Sequence, residues 1–128
     1  MKKHLVAIVC FAALIVFAAS SYAEYDRETV VEAMRAAGPA IGAAKEAVSR
    51  GDFYAAAEKL MNVAKAFKSI DAVVPRKKNK AGWNGNHGRI IKAAFRGIGA
   101  CADEDAKVVS ESIAEILKLK SEGHKMFR

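Results

Sequence analysis

Apolar residues return at alternating intervals of four and three along most of this chain, and that rhythm admits few folds. Val30, Met34, Ala37, Ile41, Ala44 and Val48 form one stripe, and Phe53, Ala57, Leu60, Ala64, Phe67 and Ile70 a second. Such spacing puts side chains on a single face of an α-helix. Ile91, Ala94, Phe95 and Ile98 mark a third, short segment, and Val109, Ile113, Ile116 and Leu117 a fourth that runs on to Phe127. No stretch alternates apolar and polar residues as a half-buried strand does. Each stripe needs a partner to bury it. The sequence therefore predicts an all-α domain, an antiparallel up-down-up-down four-helix bundle.

Punctuation residues divide the segments. The first helix opens near Asp26, and Gly51-Asp52 closes it and starts the second. Glycine suits the left-handed turn after a helix, and aspartate offers an N-cap oxygen. Gly38-Pro39 falls inside the first helix, where proline removes a hydrogen bond and is expected to kink it. Residues 71 to 85 hold Pro75, the run Arg76-Lys77-Lys78-Asn79-Lys80 and two glycines, which reads as a long surface connection. The third helix is then expected to begin between Asn84 and His87 and to end at Gly97 to Gly99, with Asp103 capping the fourth. In the context Asn84-Gly85-Asn86-His87-Gly88, His87 reads as a loop or cap residue rather than a ligand.

Ahead of these segments, Lys2 and Lys3 precede an apolar run from Leu5 to Ala19, and Ser21-Tyr22-Ala23 supplies small residues for cleavage. This reads as a signal peptide over 1–23, with 24–128 as the mature domain exported to the periplasm and no membrane segment after cleavage. The mature chain of about 105 residues is one domain with a single core. Cys10 leaves with the leader, so Cys101 has no intramolecular partner; it reads as a small core residue, or as one half of a bridge between two copies. The formal charge of +7 falls to +5 once Lys2 and Lys3 leave. That suits an acidic partner protein and is too sparse for a nucleic-acid binder. The run from Arg76 to Lys80 reads first as a solvated loop and second as a docking patch. There is no nucleophile elbow, phosphate loop or paired His/carboxylate helix motif, which argues against an enzyme.

Several short stretches carry a family likeness. They are Met34-Arg35-Ala36-Ala37-Gly38 in the first helix, Trp83 ahead of the Phe95-bearing helix, Asp105-Ala106 at the opening of the last, and the closing His124-Lys125-Met126-Phe127-Arg128. With them the mature chain resembles the cytochrome c′ and cytochrome b562 superfamily of periplasmic four-helix haem proteins. Where c-type members attach haem through Cys-x-x-Cys-His, this sequence has Lys120-Ser121-Glu122-Gly123-His124. Covalent c-type attachment is thus excluded. The resemblance implies instead a non-covalent, b-type haem for electron transfer, with Met34 and His124 as the axial metal ligands. A methionine and a histidine together raise the iron potential, which suits electron transfer. On the same likeness Phe95, Leu117 and Phe127, with Ile41, Ile98 and Ile113, would wall the macrocycle. Arg128 and Lys120 would meet its propionates, and an acidic redox partner would dock. The family pattern and the small residues of the first helix also allow a homodimer.

Counting along the helices is compatible with this pairing. Met34 lies eight residues after Asp26 and His124 four before the terminus; at about 1.5 Å per residue they stand roughly 12 Å and 6 Å from the same end of an antiparallel bundle. His124 also shares the apolar stripe of Leu117 and Phe127. Taken singly, a stripe methionine is plain core and a C-terminal histidine answers the helix dipole. The alternative expectation is therefore a haem-free bundle acting as a periplasmic binding or structural module. Metal binding without haem would draw on His87, His124, Met34, Met61 and Met126, whose spacing matches no metal motif.

Overall fold

A computed structural model describes residues 26–73, 75 and 79–127. The expected leader over 1–23 lies outside the described residues, as do Arg76, Lys77, Lys78 and Arg128. The described chain is an all-α four-helix bundle: α1 (Arg27–Ser49), α2 (Phe53–Ser69), α3 (Lys80–Ala102) and α4 (Ala106–Phe127). No strand occurs among the described residues.

Each helix begins on a side chain that accepts one of the backbone N–H groups left over at a helix start. Asp26 Oδ1 accepts from Thr29 at 3.1 Å, Asp52 Oδ1 from Ala55 at 3.0 Å, Asn79 Oδ1 from Gly82 at 3.0 Å and Asp105 Oδ1 from Val108 at 3.2 Å. The hydrogen bonds from Thr29 hold the Asp26 carboxyl below its usual pKa. Gly51 ends α1 with φ at +71°, the left-handed geometry anticipated for it. α1 continues through Pro39 to Ser49.

Two boundaries differ from the sequence reading. α3 starts at Lys80, not between Asn84 and His87, and runs to Ala102, beyond Gly97 and Gly99. Asp103 closes α3, and Asp105 is the residue that caps α4. Glycines and asparagines made the opening of α3 look like loop; its hydrogen bonds to α2 and α4, described below, outweigh their low helix propensity.

Buried side chains explain the packing. α1 turns Ala33, Ala37, Ala40, Ile41, Ala44 and Ala47 inward, almost a stripe of methyl groups, while Val30, Met34 and Val48 are only half-buried. α2 answers with Ala56, Leu60, Val63, Ala64 and Phe67. Small residues allow these two helices to approach closely. In α3 the buried line is Trp83, His87, Ile90, Ala94, Gly97 and Cys101, again at spacings of four and three. A Cβ on Gly97 would stand 2.8 Å from Leu60 Cδ1 and 3.2 Å from Ser112 Cβ, so α3 passes tightly between α2 and α4 there. Cys101 is buried, and burial pushes its thiol pKa up, which matches the core reading and leaves no accessible sulfur for a bridge. Among the described residues the ion pairs Arg50–Glu46, Lys68–Asp71 and Arg96–Glu111 lie on the surface, where each contributes about 0–1 kcal/mol.

The order of contact follows the chain. α1 packs on α2, α2 on α3 and α3 on α4, whereas α1 and α4 meet sparsely. The bundle is therefore open along the α1/α4 seam.

Candidate functional site

Local bonds at the end of α2 fix what stands behind that seam. Lys80 Nζ donates to the carbonyls of Asp71 and Val73, tying the first residue of α3 to the connection before it. Trp83 Nε1 donates to the carbonyl of Ile70 at 3.0 Å. These bonds set the rotation of α3, so that Trp83, Asn86 and His87 face the other helices. Asn86 Nδ2 donates to the carbonyl of Leu119 at 2.8 Å, bracing α4. Phe127 packs edge-on against Trp83, with ring centroids 5.2 Å apart, and secures the end of α4.

Between these elements lies a partly open cavity of about 1010 Å³, at the upper end of the roughly 300–1,000 Å³ usual for small-molecule sites. Val30, Val31 and Met34 line it from α1, Phe67 from α2, Trp83, Asn86 and His87 from α3, and Leu117, Gly123, His124 and Phe127 from α4. Arg27, Arg35, Lys120 and Lys125 also line it, and no described lining residue is a carboxylate. The result is an apolar, partly aromatic chamber with a cationic border. A second, more open groove of about 810 Å³ runs along α1 and α2, lined by alanines together with Glu32, Pro39, Lys59, Asn62 and Lys65. It has no histidine or aromatic side chain, so the seam cavity is the candidate site.

Met34 and His124, singled out from the sequence, line this one cavity. Leu117 and Phe127 line it as well, but Leu117 is 43% exposed and His124 is exposed at the rim, because the buried stripe of α4 runs through Ile116, Leu119 and Gly123 rather than through Leu117 and His124. Phe95 does not. It is 52% exposed on the outer side of α3, because the inward line passes through Ala94 and the next residue is turned about 100° away. Ile41 and Ile113 belong to the general core rather than to the cavity. Arg128 is outside the described residues.

His87 is the residue whose place the sequence reading misjudged. Far from being a loop residue, it is 4% exposed inside α3. Its ring meets Trp83 at a centroid distance of 4.4 Å and an interplanar angle of 68°, and Phe67 at 5.3 Å and 54°. Burial pushes its pKa down to about 4; the Asp71 carboxylate opposes this and the Lys80 ammonium adds to it. The imidazole is therefore neutral at pH 7. Its Nδ1 is buried without a hydrogen-bond partner, an omission that costs about 1–3 kcal/mol. The available signal was its register: His87 stands four residues after Trp83 and three before Ile90.

Gly123 is where α4 closes on α3. A Cβ there would lie 2.6 Å from Asn86 Oδ1, and the carboxamide cannot swing aside without losing Leu119. Gly123→Ala gains about 1 kcal/mol of helix propensity, but overpacking costs about 1–3 kcal/mol and a displaced amide about 1 kcal/mol more. The expected outcome is a net loss of about 1–3 kcal/mol, read as a lower urea midpoint at unchanged slope. An unchanged or higher midpoint would show that the contact is soft.

Fold and cavity together define a four-helix bundle with an apolar, cation-bordered chamber at one end. The chain matches no family model, no curated protein and no solved structure.

Proposed function

We propose that this protein is a periplasmic haem carrier similar to the cytochrome c′ and b562 superfamily, binding haem non-covalently in the seam cavity and passing electrons. Met34 and His124 are the axial ligands in this reading. The observation that carries it is that the thioether of α1 and the imidazole of α4 line the same chamber. The chamber's other properties suit the group. Val30, Val31, Phe67, Trp83, Leu117 and Phe127 offer apolar and aromatic surface to a flat macrocycle, and Arg27, Arg35, Lys120 and Lys125 offer charge to its carboxylates. Bound haem would supply the one-electron couple; the protein's part is to hold it dry and to set its potential. Covalent attachment is not part of the proposal, because position 123 is glycine and Asn86 occupies the space a side chain there would need. The cationic border would also receive an acidic redox partner.

The test is addition of one equivalent of haem to the purified mature domain. A sharp Soret band in the wild type that is lost in His124→Ala is expected. A spectrum identical to free haem would end the proposal.

One observation favours a second reading, a haem-free periplasmic binding module. Trp83, His87, Phe67 and Phe127 already pack against one another at the floor of the chamber. On that reading the protein stays colourless on haem addition and takes up a smaller amphipathic anion instead.

A further inference from the structure

We propose that the haem-free protein binds a long-chain fatty acid in the seam cavity, with Lys120 holding the carboxylate and the gap between α1 and α4 taking the acyl chain. This names a ligand class for the binding-module reading above and rests on no metal.

Lys120 is the residue that points to an anionic head. A Cβ placed on Gly38 would lie 3.8 Å from its Nζ, so the ammonium reaches across the seam from α4 and stands against α1. The side chain is half-buried, and among the described residues no ion pair engages it. Its own helix offers no counter-charge, because the residues three and four positions away are Ile116, Leu117, Gly123 and His124. Nor does it answer the helix dipole, which acts within the last turn, whereas α4 continues from Lys120 to Phe127. Arg35, three residues before Gly38 and therefore on the same side of α1, brings a second positive charge to this place. Glu32, one turn from Arg35, lines the groove on α2 instead. A carboxylate set between the ammonium and the guanidinium would gain charge-assisted hydrogen bonds from both.

Beyond that anchor the seam is apolar and elongated. Val30, Val31 and Met34 of α1 are half-buried, and Leu117 of α4 is 43% exposed, so a guest lying between the two helices would cover hydrocarbon that the fold leaves partly wet. The lining runs from Arg27 to Arg35 on α1 and from Leu117 to Phe127 on α4, roughly 12 Å and 15 Å at about 1.5 Å per residue. One leaflet of acyl chains is about 15 Å deep, half the hydrocarbon core of a bilayer. An extended acyl chain therefore matches the seam in length. Arg27 and Lys125, near the end of the bundle, are exposed to solvent, which leaves Lys120 as the anchor.

The experiment titrates the mature haem-free chain with dodecanoate below its micelle concentration, followed by calorimetry and by the fluorescence of Trp83, the single tryptophan, which lines the cavity. Saturable one-to-one binding is expected. Lys120→Gln should weaken it about tenfold, the effect of one lost charge-assisted hydrogen bond. Lys118→Gln, on the exposed side of the same helix and outside the cavity, should leave it unchanged. Dodecyltrimethylammonium, with the same chain and a cationic head, should bind more weakly than dodecanoate. No saturable binding by the wild type, equal affinity for the cationic amphiphile, or an unaltered affinity in Lys120→Gln overturns the inference. Haem uptake without dodecanoate binding overturns this inference alone, whereas dodecanoate binding without haem uptake upholds it and ends the haem reading. If both bind, each is expected to displace the other; uptake of both without competition places the acyl chain elsewhere and overturns the inference.

Discussion

Trp83→Ala is expected to lower the stability of the domain by about 4 kcal/mol, the range for emptying a buried aromatic site. For a domain of this size that is a fall of about 20 °C in melting temperature. Two effects add. Trp83 is buried between α3, α2 and the end of α4, touching the rings of His87 and Phe127. Its Nε1 also satisfies the carbonyl of Ile70, the residue that terminates α2. Trp83→Phe separates the two: it keeps a ring in place and removes the donor, and should cost about 1–2 kcal/mol. Urea unfolding followed by circular dichroism measures both variants. A Trp83→Ala midpoint within experimental error of the wild type would mean that Trp83 does not organise this end of the bundle.

The second large effect is on acid stability. Burial depresses the folded pKa of His87 to about 4 from an ordinary 6.5. In the window between those values the unfolded chain binds a proton that the folded chain refuses, so stability falls as the pH drops. The contribution is complete above pH 6.5 and lost as the pH approaches 4; a shift of this size is worth at most about 3 kcal/mol. Carboxylates add their own acid dependence, so the informative quantity is the difference between wild type and His87→Phe. In the haem-free protein that difference should grow in favour of the variant from pH 6.5 to pH 4. Parallel stability profiles across that window would mean that His87 is hydrated or protonated in the fold.

Much of this architecture is legible in the residues themselves. Asp26 and Asp52 announce two helix starts by chemistry that acts over three residues, and Gly51 announces the turn between them. Met34 and His124 could be brought to one end of the bundle by counting helix rise. What failed to show was anything that depends on partners distant in sequence. Asn86 gains its place from the carbonyl of Leu119, and Lys80 from carbonyls of the preceding connection, so a stretch that looks like loop by propensity is helix by tertiary bonding. Phe95 misled in the opposite sense. A large apolar side chain reads as core, yet the line through Trp83, His87, Ile90, Ala94 and Gly97 spends its inward positions on an imidazole and a glycine and leaves the phenylalanine outside. The same misjudged phase made His87 read as a loop or cap residue.

The alanine stripe of α1 bears on how anything reaches the chamber. Its methyl groups let α1 lie close against α2, whereas α1 and α4 meet sparsely. The least costly breathing motion of the molecule is accordingly a parting of α1 and α4 along their seam, with the other helix pairs held together. Admission of a bulky guest then requires a door to open rather than a wall to melt, and the guest, once seated against Val30, Val31 and Met34, would itself supply the latch.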